Sequence, residues 1–210
     1  NEIYKRVDQI ESMTFAGGEP LLVDETFNIL KHCIDKNSTD KEITIITNGS
    51  LLHRSQLDIL NQFKYVRIAV SLDCLGNQHN YWRQKNTIVQ VQKNIQKIID
   101  NNISLHLRCT IGWPNIFAAR DVFDFYSDVK IKVGIVNNPK YLKINMVPNE
   151  YHEKILDHWI SHEIPLSIIK DNINLPKIEN YKQTLKRWKL WNEKVDNYNN
   201  TFFIEAFPEW

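Results

Sequence analysis

Short runs of β-branched and apolar residues alternate with longer stretches of helical period along the first 137 residues, the pattern of successive βα units around a parallel sheet. Five runs predict strands: Ser12 to Ala16, Ile43 to Thr47, Val66 to Leu72, Ile103 to Thr110 and Ile131 to Asn137. Helices are predicted near Asp24 to Asp35, Arg54 to Asn61, Thr87 to Asn101 and Asn115 to Tyr126. Successive strand side chains alternate, so Leu105, Leu107 and Cys109 share one face while His106, Arg108 and Thr110 share the other. Likewise Ile68, Val70 and Leu72 oppose Arg67, Ala69, Ser71 and Asp73. A parallel sheet covered by helices on both faces reads as almost continuously apolar, so polar residues in phase on one face predict a concave lumen that holds a ligand. The expected fold class is therefore α/β, a curved and partly closed barrel of fewer than the eight strands of a complete one.

Beyond Asn137 the pattern changes. Tyr141 to Val147 predicts one more strand. Asn149 to His162 predicts a helix with Ile155, Leu156, Trp159 and Ile160 on its apolar side, stopped by Pro165. Lys177 to Tyr198 predicts a second helix, with Tyr181, Leu185, Trp188, Trp191 and Val195 spaced by three and four. Residues 1–148 are expected to form the partial barrel and 149–210 a helical C-terminal extension. Its basic residues Lys182, Lys186, Arg187, Lys189 and Lys194 read as a solvated face rather than a nucleic-acid or membrane surface.

Composition narrows the class further. The chain has 210 residues, 42% hydrophobic and 24% charged, with 26 Lys and Arg against 25 Asp and Glu. That balance excludes a disordered acidic chain and a globally basic nucleic-acid binder. No apolar run approaches the roughly 20 residues of a membrane helix, so a cytoplasmic protein is expected. Cys33, Cys74 and Cys109 are too far apart to read as a disulfide framework or a CxxC metal site, which suits a reducing compartment. The first residue is Asn1, without an initiator Met, so either residues were removed or the chain is expected to be a piece of a longer polypeptide.

The segment that carries chemistry is Met13-Thr14-Phe15-Ala16-Gly17-Gly18-Glu19-Pro20-Leu21-Leu22. Two glycines at a βα junction permit positive φ and close approach of a ligand to the main chain. Pro20 fixes its own φ and biases Glu19 toward an extended backbone, which holds the carboxylate at the strand's C-terminal edge. Carbonyls and a carboxylate suit an ammonium, whereas the usual glycine-rich phosphate loops are missing from the sequence. A given tetrapeptide of this kind has a chance of about 0.3% of occurring in such a chain, so coincidence is a poor account of it.

This strand-GGEP-helix arrangement resembles the second βα unit of the radical S-adenosylmethionine (SAM) superfamily, where the turn holds the ammonium of the cofactor's methionine part. Ile45-Ile46-Thr47-Asn48-Gly49 resembles the family's TNG strand end, and Val70-Ser71-Leu72-Asp73 its S-x-D ending near the ribose. Tyr81-Trp82-Arg83, taken to precede the next helix, is similar to a Tyr-x-Arg found in many members. Arg108-Cys109-Thr110 with Asn115 looks like the fifth barrel strand and its loop, near the carboxylate and adenosine. Pro139 to Pro148 and Phe207-Pro208-Glu209-Trp210 resemble, more loosely, twitch-domain-containing members. The resemblance implies a partial TIM-type (β/α)6 barrel lacking its first βα unit, with Gly17, Gly18, Glu19, Pro20, Asn48, Ser71, Asp73, Arg108 and Thr110 around S-adenosylmethionine. It also implies a [4Fe-4S] cluster and a 5′-deoxyadenosyl radical that abstracts hydrogen from an unknown substrate. Members bind the cluster through CxxxCxxC upstream of GGEP, yet residues 1–16 contain no cysteine. The cluster ligands are therefore expected outside this chain, which alone is expected to be inactive.

Other constellations are weaker. His158 and His162 stand at i, i+4 and could chelate zinc, but without an HExxH glutamate a solvated helix face is preferred. His106 shares the lumen phase and is read as a hydrogen-bonded structural residue that could touch substrate. Cys74, after Asp73, is the one cysteine placed at a strand rim, and His32 carries no expected role. Two competing readings stand beside the enzyme: a cluster-free barrel that binds a ligand or a protein partner, and a phosphate-binding β/α barrel, which the missing late glycine-rich turn disfavours.

Overall fold

The computed structural model describes residues 2–84, 87–178 and 180–210. In chain order the regular elements are α1 (Glu2–Arg6), β1 (Ser12–Phe15), α2 (Asp24–Asp35), β2 (Glu42–Thr47), α3 (Arg54–Leu60), β3 (Tyr65–Ser71), α4 (Gly76–Arg83), α5 (Ile88–Asp100), β4 (Ser104–Ile111), α6 (Arg120–Phe125) and β5 (Lys130–Ile135). Then follow α7 (His152–His158), α8 (Glu163–Ile173), α9 (Tyr181–Asn199) and α10 (Phe203–Ala206). The strands form one five-stranded sheet in the order β1-β2-β3-β4-β5, with β1 parallel to β2 and β2 parallel to β3. Each strand lies next to its predecessor with no reversal of order. That is the winding of a β/α barrel and not of a doubly wound sheet, which reverses at a switch point.

The chain divides into two compact units, residues 1–71 with 86–107 and residues 72–85 with 108–210. In the first, β2 alternates: Ile43, Ile45 and Thr47 are buried while Thr44 and Ile46 are half-buried. Helix α5 buries Ile88, Val91, Ile95 and Ile98, a stripe spaced by three and four, and α2 buries Phe27, Leu30 and Cys33. Asp24 and Glu25 in the first turn of α2 complement its N-terminal dipole. Lys41, 4% exposed, donates from Nζ to the carbonyls of Val7 at 2.8 Å and Ile10 at 2.9 Å, fastening the N-terminal segment.

The second unit has a separate core built on Ile111, Ile144, Val147, Ile155, Trp159 and Ile169. All six tryptophans, Trp82, Trp113, Trp159, Trp188, Trp191 and Trp210, belong to this unit. Rings meet edge-on or tilted, as between Trp113 and Trp188 at 4.7 Å and Trp113 and Trp210 at 5.1 Å. Some indole N–H groups find carbonyls, Trp159 donating to Ile116 at 2.9 Å and Trp113 to Tyr141 at 2.7 Å, whereas the buried Trp188 Nε1 has no partner among the described residues.

Several expectations are corrected here. Tyr141 to Val147 is no strand but two 3-10 turns, Lys140–Leu142 and Ile144–Met146, closed by Leu142 N on the Pro139 carbonyl and Met146 N on the Lys143 carbonyl. The expected helix from Asn149 to His162 is a 3-10 turn followed by α7, which ends at His158. Pro165 does not stop a helix: it sits in the first turn of α8, where the N–H it lacks has no intrahelical partner. Tyr81, Trp82 and Arg83 lie inside α4 rather than before a helix, and the stretch from Asn115 becomes helical only at Arg120. The expected helix from Lys177 is realised as α9; Glu179 within that stretch lies outside the described residues, as does Asn1.

Candidate functional site

Polar groups gather at strand C-terminal ends in each unit. In the first, β1 runs into Gly17 and Gly18, whose φ values are +92° and +32°. Nothing lies within 4 Å of the point where a Cβ would stand at either residue. Positive φ strains a residue with a Cβ, so the backbone demands glycine while the space above it stays open for close approach. Pro20 is buried at the start of a 3-10 turn, and Glu19 before it is extended at φ −130° and ψ 101°. The orientation expected from the proline bias is thus present.

Glu19 ties this turn to the end of β2. Its Oε1 accepts from the Thr47 hydroxyl at 2.7 Å and from Leu21 N at 3.2 Å, and its Oε2 accepts from Asn48 N at 2.8 Å. The Thr47 oxygen in turn accepts from Gly49 N at 3.0 Å, and the Asn48 carboxamide oxygen accepts from Ser50 N at 2.8 Å. Gly49 has φ +75°, and a Cβ there would come within 2.8 Å of Val70 Cγ1. Asn94, 1% exposed, donates to the Gly49 carbonyl at 2.9 Å. Three neutral donors thus fix the Glu19 carboxylate, whose oxygens offer about four lone-pair directions. No cation among the described residues pairs with it. A half-exposed, oriented and uncompensated carboxylate beside open main chain can accept an ammonium group.

In the second unit Asp73, 2% exposed, follows β3. Its Oδ1 accepts from Thr110 N at 2.8 Å, and its Oδ2 accepts from Trp82 Nε1 at 3.2 Å and meets Arg83 Nη2 at 2.6 Å. Burial pushes the Asp73 carboxyl up from the ordinary carboxylate range, with the Arg83 guanidinium and the N–H donors acting against it. Asn115, fully buried, donates to the carbonyls of Asp73 at 3.3 Å and Thr110 at 3.1 Å and accepts from Gly112 N at 2.8 Å, so its carboxamide is spent on the main chain. Tyr81 donates its hydroxyl to Asp196 Oδ1 at 2.7 Å; burial and that carboxylate together raise its phenol.

The structure therefore brings Gly17, Gly18, Glu19, Pro20 and Asn48 together in one unit and Asp73 with Thr110 in the other. Ser71 is half-buried at the last position of β3, and His106, Arg108 and Thr110 are half-buried on the predicted face of β4. Cys74 is not a rim thiol: it is fully enclosed, and burial holds it well above the ordinary thiol range. His158 and His162 do not share a solvated helix face. His158 Nε2 contacts the Phe117 carbonyl at 3.0 Å, whereas His162 lies beyond α7 and pairs with Asp124 at 2.8 Å. Thr47, Asn94 and the Asp73–Arg83 pair were not expected as parts of these groups. Asn94 had a signal, a carboxamide in phase with Val91 and Ile98 on the apolar side of α5.

The family model described as the radical SAM superfamily matches residues 1–125. The subtilosin biosynthesis protein AlbA of Bacillus subtilis (strain 168) is 24% identical over 124 residues, which is 58% of this chain and 27% of AlbA. Among solved structures, anSMEcpe with bound AdoMet superposes with a TM-score of 0.57 at 16% identity, covering 77% of this chain and 48% of that one. Streptococcus suis SuiB bound to S-adenosylmethionine gives a TM-score of 0.55 at 18% identity over 77% of this chain and 40% of SuiB. The chain thus spans about a quarter to a half of the length of these relatives.

Proposed function

Because the chain belongs to the radical SAM superfamily, we propose that it binds S-adenosylmethionine at the Gly17–Pro20 turn, as part of a protein that carries out radical hydrogen abstraction. The observation that supports this is the Glu19 carboxylate, oriented by Thr47, Asn48 and Leu21 but uncompensated in charge. The cofactor's ammonium would complete that carboxylate, while the open backbone at Gly17 and Gly18 gives its methionine part room to approach. When bound, the cofactor supplies a hydrogen-abstracting radical, and the protein contributes orientation and exclusion of water. Asn48 and Ser71 are proposed to flank it from the first unit. Arg108 and Thr110, in the second unit, are proposed as further cofactor residues on the family resemblance of their strand end.

A [4Fe-4S] cluster does not fit the residues of this chain. Cys33, Cys74 and Cys109 are each buried, and among the described residues no three His, Cys, Asp or Glu side chains come together as metal ligands. No residue here is assigned to a cluster, and no step is routed through one. A solved structure of Streptococcus suis SuiB holds the precursor peptide SuiA, and a peptide is the substrate class proposed for trial.

Equilibrium dialysis of S-adenosylmethionine against the chain and its Glu19→Gln variant tests the reading. A charge-assisted hydrogen bond is worth about 1.5–3 kcal/mol, so the variant is expected to bind roughly 10- to 100-fold more weakly. Equal affinity in the two proteins, or no binding by the unaltered chain, would overturn it.

A further inference from the structure

Asp73 is too enclosed for a ligand to reach its carboxylate, yet it is committed on every side. Oδ1 accepts from Thr110 N at 2.8 Å, Oδ2 takes Trp82 Nε1 at 3.2 Å and Arg83 Nη2 at 2.6 Å, and its main-chain oxygen accepts from Asn115 Nδ2 at 3.3 Å. Arg83 reaches Asp73 through Nη2, and its buried Nε has no partner among the described residues. The other titratable groups around Asp73 supply no second positive charge. His79 on α4 is driven down to about 4 by burial and by Arg83, and burial keeps the thiols of Cys74 and of Cys109 on β4 protonated. Arg83 is thus the cation on which ionisation of Asp73 depends.

The geometry points to Arg83 as a positioning residue for the end of β4: by keeping Asp73 ionised it holds the Thr110 amide, and so sets the strand end that carries Arg108 and Thr110. A carboxylate accepts from an N–H more strongly than a carboxylic acid does. Loss of the guanidinium would leave a buried carboxyl with neutral donors alone, and such a group takes up a proton. The end of β4 would then be held tightly only at a pH high enough to ionise Asp73. The consequence for cofactor affinity rests on the S-adenosylmethionine reading above.

The test compares the unaltered chain, Arg83→Gln, and the double variant Asp73→Asn with Arg83→Gln. Cofactor affinity is measured by dialysis between pH 6 and 8, and the Thr110 amide and Trp82 indole N–H resonances are followed over the same range. An adjacent Arg displaces an Asp pKa by about 1–3 units. Arg83→Gln is therefore expected to raise the pH at which Asp73 ionises, so that both resonances titrate at a higher pH than in the unaltered chain and affinity falls roughly 10-fold more toward acid. The double variant, with no ionisable group at position 73, should follow the pH profile of the unaltered chain. A merely structural Arg83 would lower affinity equally at every pH, and that result, or unchanged affinity throughout, overturns the proposal. Titration of the two resonances at one and the same pH in the unaltered chain and in Arg83→Gln, or in Arg83→Met where the glutamine variant fails to fold, overturns it also. Absence of cofactor binding by the unaltered chain would instead overturn the S-adenosylmethionine reading, and the resonances would still decide whether Arg83 keeps Asp73 ionised.

Discussion

Acid should weaken the second compact unit through His79. This side chain on α4 is fully buried; neither ring nitrogen closes a hydrogen bond of good geometry among the described residues, and the nearby Cys74 main chain, which favours the protonated ring, is the weakest of the three influences on it. Burial first, and then the Arg83 guanidinium, push its pKa from the ordinary 6.5 down to about 4. Because the folded value lies below the unfolded one, unfolding takes up a proton anywhere between them. The associated stability is complete above pH 6.5 and is lost as the pH falls toward 4. A displacement of about 2.5 units at 1.36 kcal/mol each gives about 3 kcal/mol in all, of which about 2 kcal/mol is gone by pH 5. Replacement by leucine, close in volume and without a titrating group, should remove this part of the pH dependence. Urea unfolding at pH 7 and pH 5 measures it, followed by selectively excited tryptophan fluorescence, which reports on this unit because all six tryptophans lie in it. His79→Leu is expected to lose about 2 kcal/mol less stability than the unaltered chain over that interval. Equal losses in the two proteins would mean that His79 is solvated or already paired, and the reasoning would fail.

Three further substitutions probe the polar groups. Gly49→Ala places a Cβ at positive φ and 2.8 Å from Val70 Cγ1, and should destabilise by about 2–3 kcal/mol in thermal or urea unfolding. Thr47→Val removes the hydroxyl that donates to Glu19 and accepts from Gly49 N; a loss of about 1–3 kcal/mol is expected, with weaker S-adenosylmethionine binding in dialysis. Asn115→Ala strips partners from the Gly112 amide and from the Asp73 and Thr110 carbonyls, so urea unfolding should show a loss of about 2–4 kcal/mol.

The strands were legible because burial on alternate positions leaves a period of two, and each of the five begins and ends within two residues of expectation. The same signal misled at residues 141–147. There Leu142, Ile144 and Met146 are buried and alternate as in a strand, but the chain between Pro139 and Pro148 coils into 3-10 turns. The Gly17–Pro20 turn was legible because its constraints are local: positive φ, a fixed proline φ and an extended Glu19 act within four residues. Asp73 was not, since its surroundings depend on Arg83 and Thr110, ten and 37 residues away, and no local pattern says whether a strand-end carboxylate meets solvent or a guanidinium.

That difference separates two acidic residues which the sequence pattern placed side by side as cofactor contacts. Asp73 is buried and its charge is answered by Arg83, so the pair offers little field to a ligand and instead fixes main chain. Glu19 is half-exposed, held by an O–H and two N–H donors, with its negative charge intact. An ammonium or sulfonium ligand gains from the second arrangement and not from the first. Glu19→Gln should therefore lower cofactor affinity by more than it lowers stability, because an amide oxygen still accepts from Thr47 and Leu21 and only the Asn48 amide loses its acceptor. Asp73→Asn should cost stability, because it leaves the half-buried Arg83 guanidinium unpaired, and should alter affinity only as far as the Thr110 amide moves.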